Sequence, residues 1–266
     1  MTLPGAVRDL ALRLGASPAR IAGPVHLTQT GSMKLRLDTD GWLPFRASQT
    51  LEVTRCAFSW RARFWPLGYL TVLDALVDGE GRMDVTAFGV FPLVRSRSSA
   101  ALTKGELQRY LAELPYAPDA ILHNPALEWR EIDRNRLAVA TGSGAQRAEV
   151  IFTLDPDGHI GSVWAEDRPR SATSPTLPTP WEGQFSDYRL CQGRSVPYSA
   201  EVAWMIDGKR NLYWRGSLTD WMLVPPVSSV TSTRPRRPSE TLRDRPPAVG
   251  TASPRITVTE NHTRIG

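Results

Sequence analysis

The chain has 266 residues, 41% hydrophobic and 22% charged, which suits a packed globular core and excludes a wholly disordered protein. No stretch approaches the roughly 18 consecutive apolar residues of a spanning helix. Two cysteines without CxxC spacing, Cys56 and Cys191, exclude a disulfide framework and a closed cysteine-based zinc site.

The first element is a short amphipathic helix. Val7, Leu10, Ala11 and Leu14 repeat at i, i+3, i+4, i+7 between Pro4 and Gly15, residues suited to starting and stopping a helix. Met33, Leu35 and Leu37 then alternate with polar residues, and Asp40-Gly41 turns the chain into Phe45, Ala47, Gln49, Leu51 and Val53, the pattern of a hairpin. Phe58, Trp60, Ala62 and Phe64 share one face of a third strand. The run 69–77 and the segment from Met83 to Ala87 flank Asp78-Gly79-Glu80-Gly81, giving strands four and five.

From Leu102 to Leu114 the period changes. Leu107, Tyr110, Leu111 and Leu114 make a helical stripe, and Thr103-Lys-Gly-Glu106 reads as a capping box. Pro115 ends this helix and Pro118 starts another turn. Extended segments follow at 127–132, 137–141 and 148–154, the last two as a hairpin around Gly142-Ser143-Gly144, and Asp155-Pro156-Asp157-Gly158 turns into 160–164. Ser171 to Pro180 reads as a long loop, a candidate flap, before strands at 181–190, 196–206 and 212–218.

Strands joined by tight turns, with no regular crossover helices, imply an antiparallel sheet, and about ten of them must curl strongly. The expected fold is therefore mainly β (α+β): a curved sheet or half-barrel of about ten strands wrapped on the central helix, plus the N-terminal helix. Residues 1–224 are expected to form one domain.

The charge belongs mostly to the end of the chain. Residues 225–266 hold seven arginines, three acids, seven prolines and no aromatic residue, so they cannot bury enough apolar surface to offset ordering entropy. A disordered Pro/Arg/Ser-rich tail is expected, able to make a weak contact with an anionic partner. The remaining 224 residues carry 25 basic and 24 acidic side chains, a balance that gives no reason to expect a specific nucleic-acid partner. Arg8 and Arg13 interrupt the apolar pattern of the first fifteen residues, which predicts no secretory signal and a cytoplasmic location, or a periplasmic one if the start is misassigned.

Nine tryptophans are plentiful for such a body. Phe58, Trp60, Trp129, Trp164, Trp204 and Tyr110 are candidate lining residues of an aromatic cavity, with Arg109 and Arg168 placed to hold a carboxylate or phosphate head group. Aromatic packing and internal salt bridges are the alternative roles. His26, His123 and His159 show no metal-ligand spacing, and no nucleophile elbow, zincin, P-loop or dinucleotide fingerprint is present. No metal, cofactor or catalytic residue is expected.

At Phe45-Arg-Ala-Ser-Gln49, Phe58-Ser-Trp60, Arg109-Tyr-Leu-Ala-Glu-Leu-Pro115, Asp157-Gly158 followed by Arg168, and Val196-Pro197 with Glu201 and Trp204, the chain resembles a widespread bacterial family of unknown function, over about residues 4–221. Its order of strands around a helix is also similar to the periplasmic lipoprotein-carrier half-barrels of the LolA/LolB type, and that resemblance implies an acyl-chain ligand in a concave apolar cavity. Three functions are thus in view. The first is non-enzymatic binding of a hydrophobic or amphipathic small molecule or lipid. The second is an enzyme on an apolar substrate, with an acid-base group from Asp74, Glu113, Glu128 or His159, and the third a protein-interaction domain.

Overall fold

The opening stripe folds as α1 (Gly5–Arg13), whose Val7, Leu10 and Ala11 are buried. In the computed structural model the described residues are 3–65, 70–87, 91–96, 98–170 and 176–225. Beyond Pro225 the expected tail lies outside them, as does 171–175 of the expected loop. No described helix is long and apolar enough to cross a membrane.

Two meanders make the sheet. The first contains β1 (Val25–Met33), β2 (Leu43–Leu51), β3 (Phe58–Phe64), β4 (Leu70–Val77), β5 (Glu80–Ala87) and β6 (Phe91–Arg95). The second contains β7 (Glu128–Asp133), β8 (Arg136–Thr141), β9 (Ala148–Leu154), β10 (Ile160–Arg170), β11 (Leu177–Cys191), β12 (Arg194–Ile206) and β13 (Lys209–Leu223). Within each meander every strand pairs antiparallel with its sequence neighbour, and β1 pairs with β13 to join the two. One thirteen-stranded sheet results, with β6 and β7 at its edges. Its curl gives the expected mainly β half-barrel.

Between the meanders run α2 (Ala100–Ala112), a 3-10 turn (Leu114–Tyr116) and α3 (Pro118–His123). The helix α2 touches β4 and β5 on one wing and β8, β9 and β10 on the other. It therefore lies across the concave face. Below it Tyr110, buried at 1% exposure, donates its hydroxyl to the Glu52 carbonyl at 2.9 Å and accepts from Asn124. The indole of buried Trp221 donates to the Tyr116 carbonyl at 2.8 Å. Arg194 grips buried Asp119 through two N–H groups, at 2.8 and 2.9 Å, and so ties α3 to the sheet.

Four expectations need correction. The first strand is 25–33, and Lys34 to Trp42 is a loop held by the Arg36–Asp38 ion pair. The alternation of β1 was hidden because its third inward position is Gln29, satisfied by the Trp60 indole N–H at 3.1 Å. The short edge strand β6 was missed, and β10 and β11 extend into the expected loop, reaching Arg170 and starting at Leu177. Helix α2 starts one turn earlier than the capping-box reading, with Ser99 as the cap accepting from the Leu102 N–H. Thr103 instead accepts from the Gly81 N–H, and Glu106 is free to turn inward.

Glycine is required where β1 crosses under an aromatic ring. A Cβ at Gly31 would stand 2.3 Å from the Arg215 carbonyl oxygen and 2.7 Å from the Phe45 ring, whereas one at Gly41 meets nothing within 4 Å. Replacing Gly31 by Ala is expected to lower unfolding free energy by about 2 kcal/mol. Gly41→Ala serves as the control, changing it by less than about 0.5 kcal/mol in urea denaturation.

Candidate functional site

Alternation along β2, β3 and β4 puts Gln49, Trp60 and Asp74 on the concave face, and the register aligns them in one row. Polar groups on either side of a buried indole are costly unless something pairs with them. Helix α2 supplies the partners. Glu106, Arg109 and Glu113 stand at i, i+3 and i+7 and so share a helix face.

Arg109 is the hub. Its Nη1 donates to Asp74 Oδ2, its Nε donates to Glu113 Oε1 at 3.0 Å, and its guanidinium lies 5.0 Å from the ring centroids of both Phe58 and Trp60. The second Glu113 oxygen accepts from the Gln49 amide. Burial disfavours the charge on Arg109, but Glu113, Asp74 and Glu106 outweigh it and raise its pKa, so the guanidinium stays protonated. On the other wing, Asp167 accepts from Lys104 Nζ at 2.5 Å and from Gln108 Nε2 at 2.9 Å. The neighbouring Arg168 stacks over Trp181 at 4.8 Å.

Glu106 is the anomaly of the cluster. At 3% exposure it is as buried as Trp60, and its pKa is raised well above the ordinary carboxylate range by burial and then by the Asp74 charge, with Arg168 and Arg109 opposing. Glu106 Oε2 and Asp74 Oδ1 are both buried without a donor, as is Gln49 Oε1. Burial and the neighbouring Asp74 charge both favour the protonated form of Glu106, and that form adds a donor to a site short of them.

From this cluster an aromatic path leads outward. The Phe45 ring meets Trp60 edge-on at 5.7 Å and stacks on Trp214 at 5.7 Å, and Trp214, itself half-buried, lies flat over Gly216. Half-buried Trp204 pairs with Trp181 across β11 and β12 and stacks on Tyr213 at 5.9 Å. The structure thus brings Phe58, Trp60, Tyr110 and Arg109 together beneath α2, with Arg168 facing Glu106 from β10. Trp204 lies farther along the same face. Trp129 packs apart from them, on Phe152 at 6.1 Å.

Trp164 is a correction. Its neighbours Val163 and Ala165 point inward, so the indole lies on the outer face and donates to Glu166 at 2.9 Å. Of the acid-base candidates, Asp74 and Glu113 converge on Arg109, whereas Glu128 pairs with Arg147 at the surface. His159 stacks on Tyr188 at 4.3 Å, and its backbone N–H is bound by Asp155. Ligand atoms of Asp155, Asp157 and His159 lie within 4.8 Å of one another. The internal contacts of Asp155 and His159 account for that turn as a structural clasp. Two depressions of about 460 and 320 Å³ are lined mainly by outward-facing residues, the smaller one reaching Gln49.

The sequence matches DUF6544, a family of unknown function, over residues 1–216, and the chain belongs to that family. No curated protein matches it in sequence. Among solved structures it is similar to a LolA superfamily protein from Nitrosomonas europaea, with 9% identity, a TM-score of 0.46, and coverage of 85% of this chain and 95% of that one. It is also similar to a domain from Vibrio parahaemolyticus assigned to outer membrane lipoprotein sorting, at 10% identity, a TM-score of 0.45, and 82% and 90% coverage. A DUF1329 family protein from Desulfovibrio piger aligns at 10% identity, a TM-score of 0.48, and 84% and 94% coverage. These likenesses concern architecture alone. The expected cytoplasmic location is corrected on this point, because a structure sharing the architecture is described by outer membrane lipoprotein sorting.

The raised pKa of Glu106 sets a pH dependence with a definite sign. As pH rises past the ordinary glutamate value the unfolded chain loses this proton while the folded chain keeps it, so the contribution of Glu106 to stability declines until the folded group also ionises. Urea unfolding between about pH 4 and about pH 9 should show that decline in the native protein. It should be flatter in Glu106→Gln; equal slopes in the two proteins would contradict the assignment.

Proposed function

We propose that the protein binds an amphipathic molecule, a lipid or other acyl-chain compound, on the concave face between the sheet and α2, without chemical change to it. One observation carries this reading: a buried polar cluster with unpaired hydrogen-bonding atoms is joined to a half-buried rim by a continuous aromatic path, Trp60–Phe45–Trp214. A polar head and an apolar body need those two environments side by side. Each methylene transferred from water to that surface contributes about 0.8 kcal/mol before ordering costs.

Access requires α2 to shift. Beside the apolar seam of Leu107, Tyr110 and Leu111, it is attached to the wings by polar contacts, through Thr103, Arg109 and Glu113 on one side and Lys104 and Gln108 on the other.

An acid-base enzyme on an apolar substrate is the second reading, favoured by one observation. A buried carboxyl group whose pKa is raised by burial and by a second carboxyl nearby is the arrangement that proton transfer uses. It differs from the first reading in predicting a changed product when a bound compound is recovered.

Native mass spectrometry of the full chain, purified without detergent and then incubated with a bacterial lipid extract, is the test. Binding of one lipid per chain, recovered intact, is expected, with Trp214→Ala weakening it by about tenfold. An apoprotein that takes up nothing would contradict the reading.

A further inference from the structure

Within this ligand reading, on which the inference rests, the charges of the site specify the head group. Three acids, Asp74 from β4 with Glu106 and Glu113 from α2, face two guanidinium groups, Arg109 from α2 and Arg168 from β10. Gln49 from β2 and Trp60 from β3 bring no charge, and Lys104 is matched by Asp167. With every group ionised the buried site is one negative charge in excess. An interior of low polarity does not tolerate that excess, and something must supply one positive charge.

The unpaired atoms have the same bias. Asp74 Oδ1, Glu106 Oε2, Gln49 Oε1 and, toward the other wing, Gln108 Oε1 are acceptors without donors, on residues no more than 6% exposed. Arg168 Nη1 is the one orphaned donor beside them. Arg109 is committed to Asp74 and Glu113, so it has little left to offer an anionic head.

We infer that the site takes an amphipathic ligand whose head is a primary ammonium group, paired with the unpartnered buried carboxyl oxygens of Asp74 and Glu106. An ammonium group offers several donors and a single positive charge, which suits the orphaned oxygens of Asp74 and Glu106 and an excess of one negative charge. The exchange balances: the ammonium enters with its proton, Glu106 releases its own to solvent, and no covalent bond changes. Aromatic faces at Phe58 and Trp60, which already stack on the Arg109 cation, suit a second cation nearby.

The probes are dodecylamine, dodecanol and dodecanoate, each below its aggregation limit, titrated into the full chain at neutral pH. Isothermal calorimetry is run in two buffers of different ionisation enthalpy to count protons. Dodecylammonium should bind at least about tenfold more tightly than either other probe and release close to one proton per molecule bound. In Glu106→Gln, which preserves the neutral shape of the side chain, the proton release should vanish and the preference over dodecanol should collapse. Tighter binding of dodecanoate, or amine binding without proton release, would overturn the head-group assignment and leave the acyl-ligand reading standing. If none of the three binds, the acyl-ligand reading falls with it.

Discussion

A guanidinium group buried between two carboxylates cannot lose one partner without leaving a charge stranded, and that constraint governs the concave face of this protein. Arg109 is fixed to Asp74 on the sheet and to Glu113 one helical turn along α2. Removing one partner from a fully buried pair costs about 3–5 kcal/mol, an upper bound for this partly buried set. Helix α2 therefore has one register on the sheet. That register places Glu106 in the buried site near the Asp74 charge, where burial favours its protonated form.

The rest of the architecture serves this contact. Antiparallel pairing of β1 with β13 brings the two meanders into one sheet, so that α2 is gripped by a wing on each side. Asp119 with Arg194, and Tyr116 with Trp221, fill the space under α3. In the other direction the filling is aromatic and only partial, with Trp214 and Trp204 half-buried. Glycines at 31 and 216 let Phe45 and Trp214 lie flat on the strands. A face that is polar at one end and aromatic at the other is thus a product of strand register.

Much of this was legible in the sequence because period and turn chemistry are local. The stripe at Leu107, Tyr110 and Leu111 marked the central helix, and the alternation at Phe58, Trp60 and Phe64 marked an inward aromatic strand. What escaped was polar and inward-facing. Gln29 and Gln49 broke or blurred the apolar alternation of their strands, and their burial makes sense only once Trp60 and Glu113 are seen as partners. Glu106 read as a helix cap because a Thr lies three residues before it, but the cap is Ser99, and only the spacing Glu106, Arg109, Glu113 hinted at a shared face. Trp164 was misplaced because sheet faces can be assigned only after the register of β10 is known.

Burial beneath α2 and the neighbouring Asp74 charge are expected to hold a proton on Glu106 at neutral pH. Infrared difference spectroscopy of the native protein minus Glu106→Gln, at neutral pH without added ligand, addresses it directly. The structure predicts a protonated-carboxyl absorption in the native protein that vanishes in the variant, with no loss of carboxylate intensity. A difference spectrum containing only an ionised carboxylate band would contradict it, and would leave the cluster in need of another positive charge.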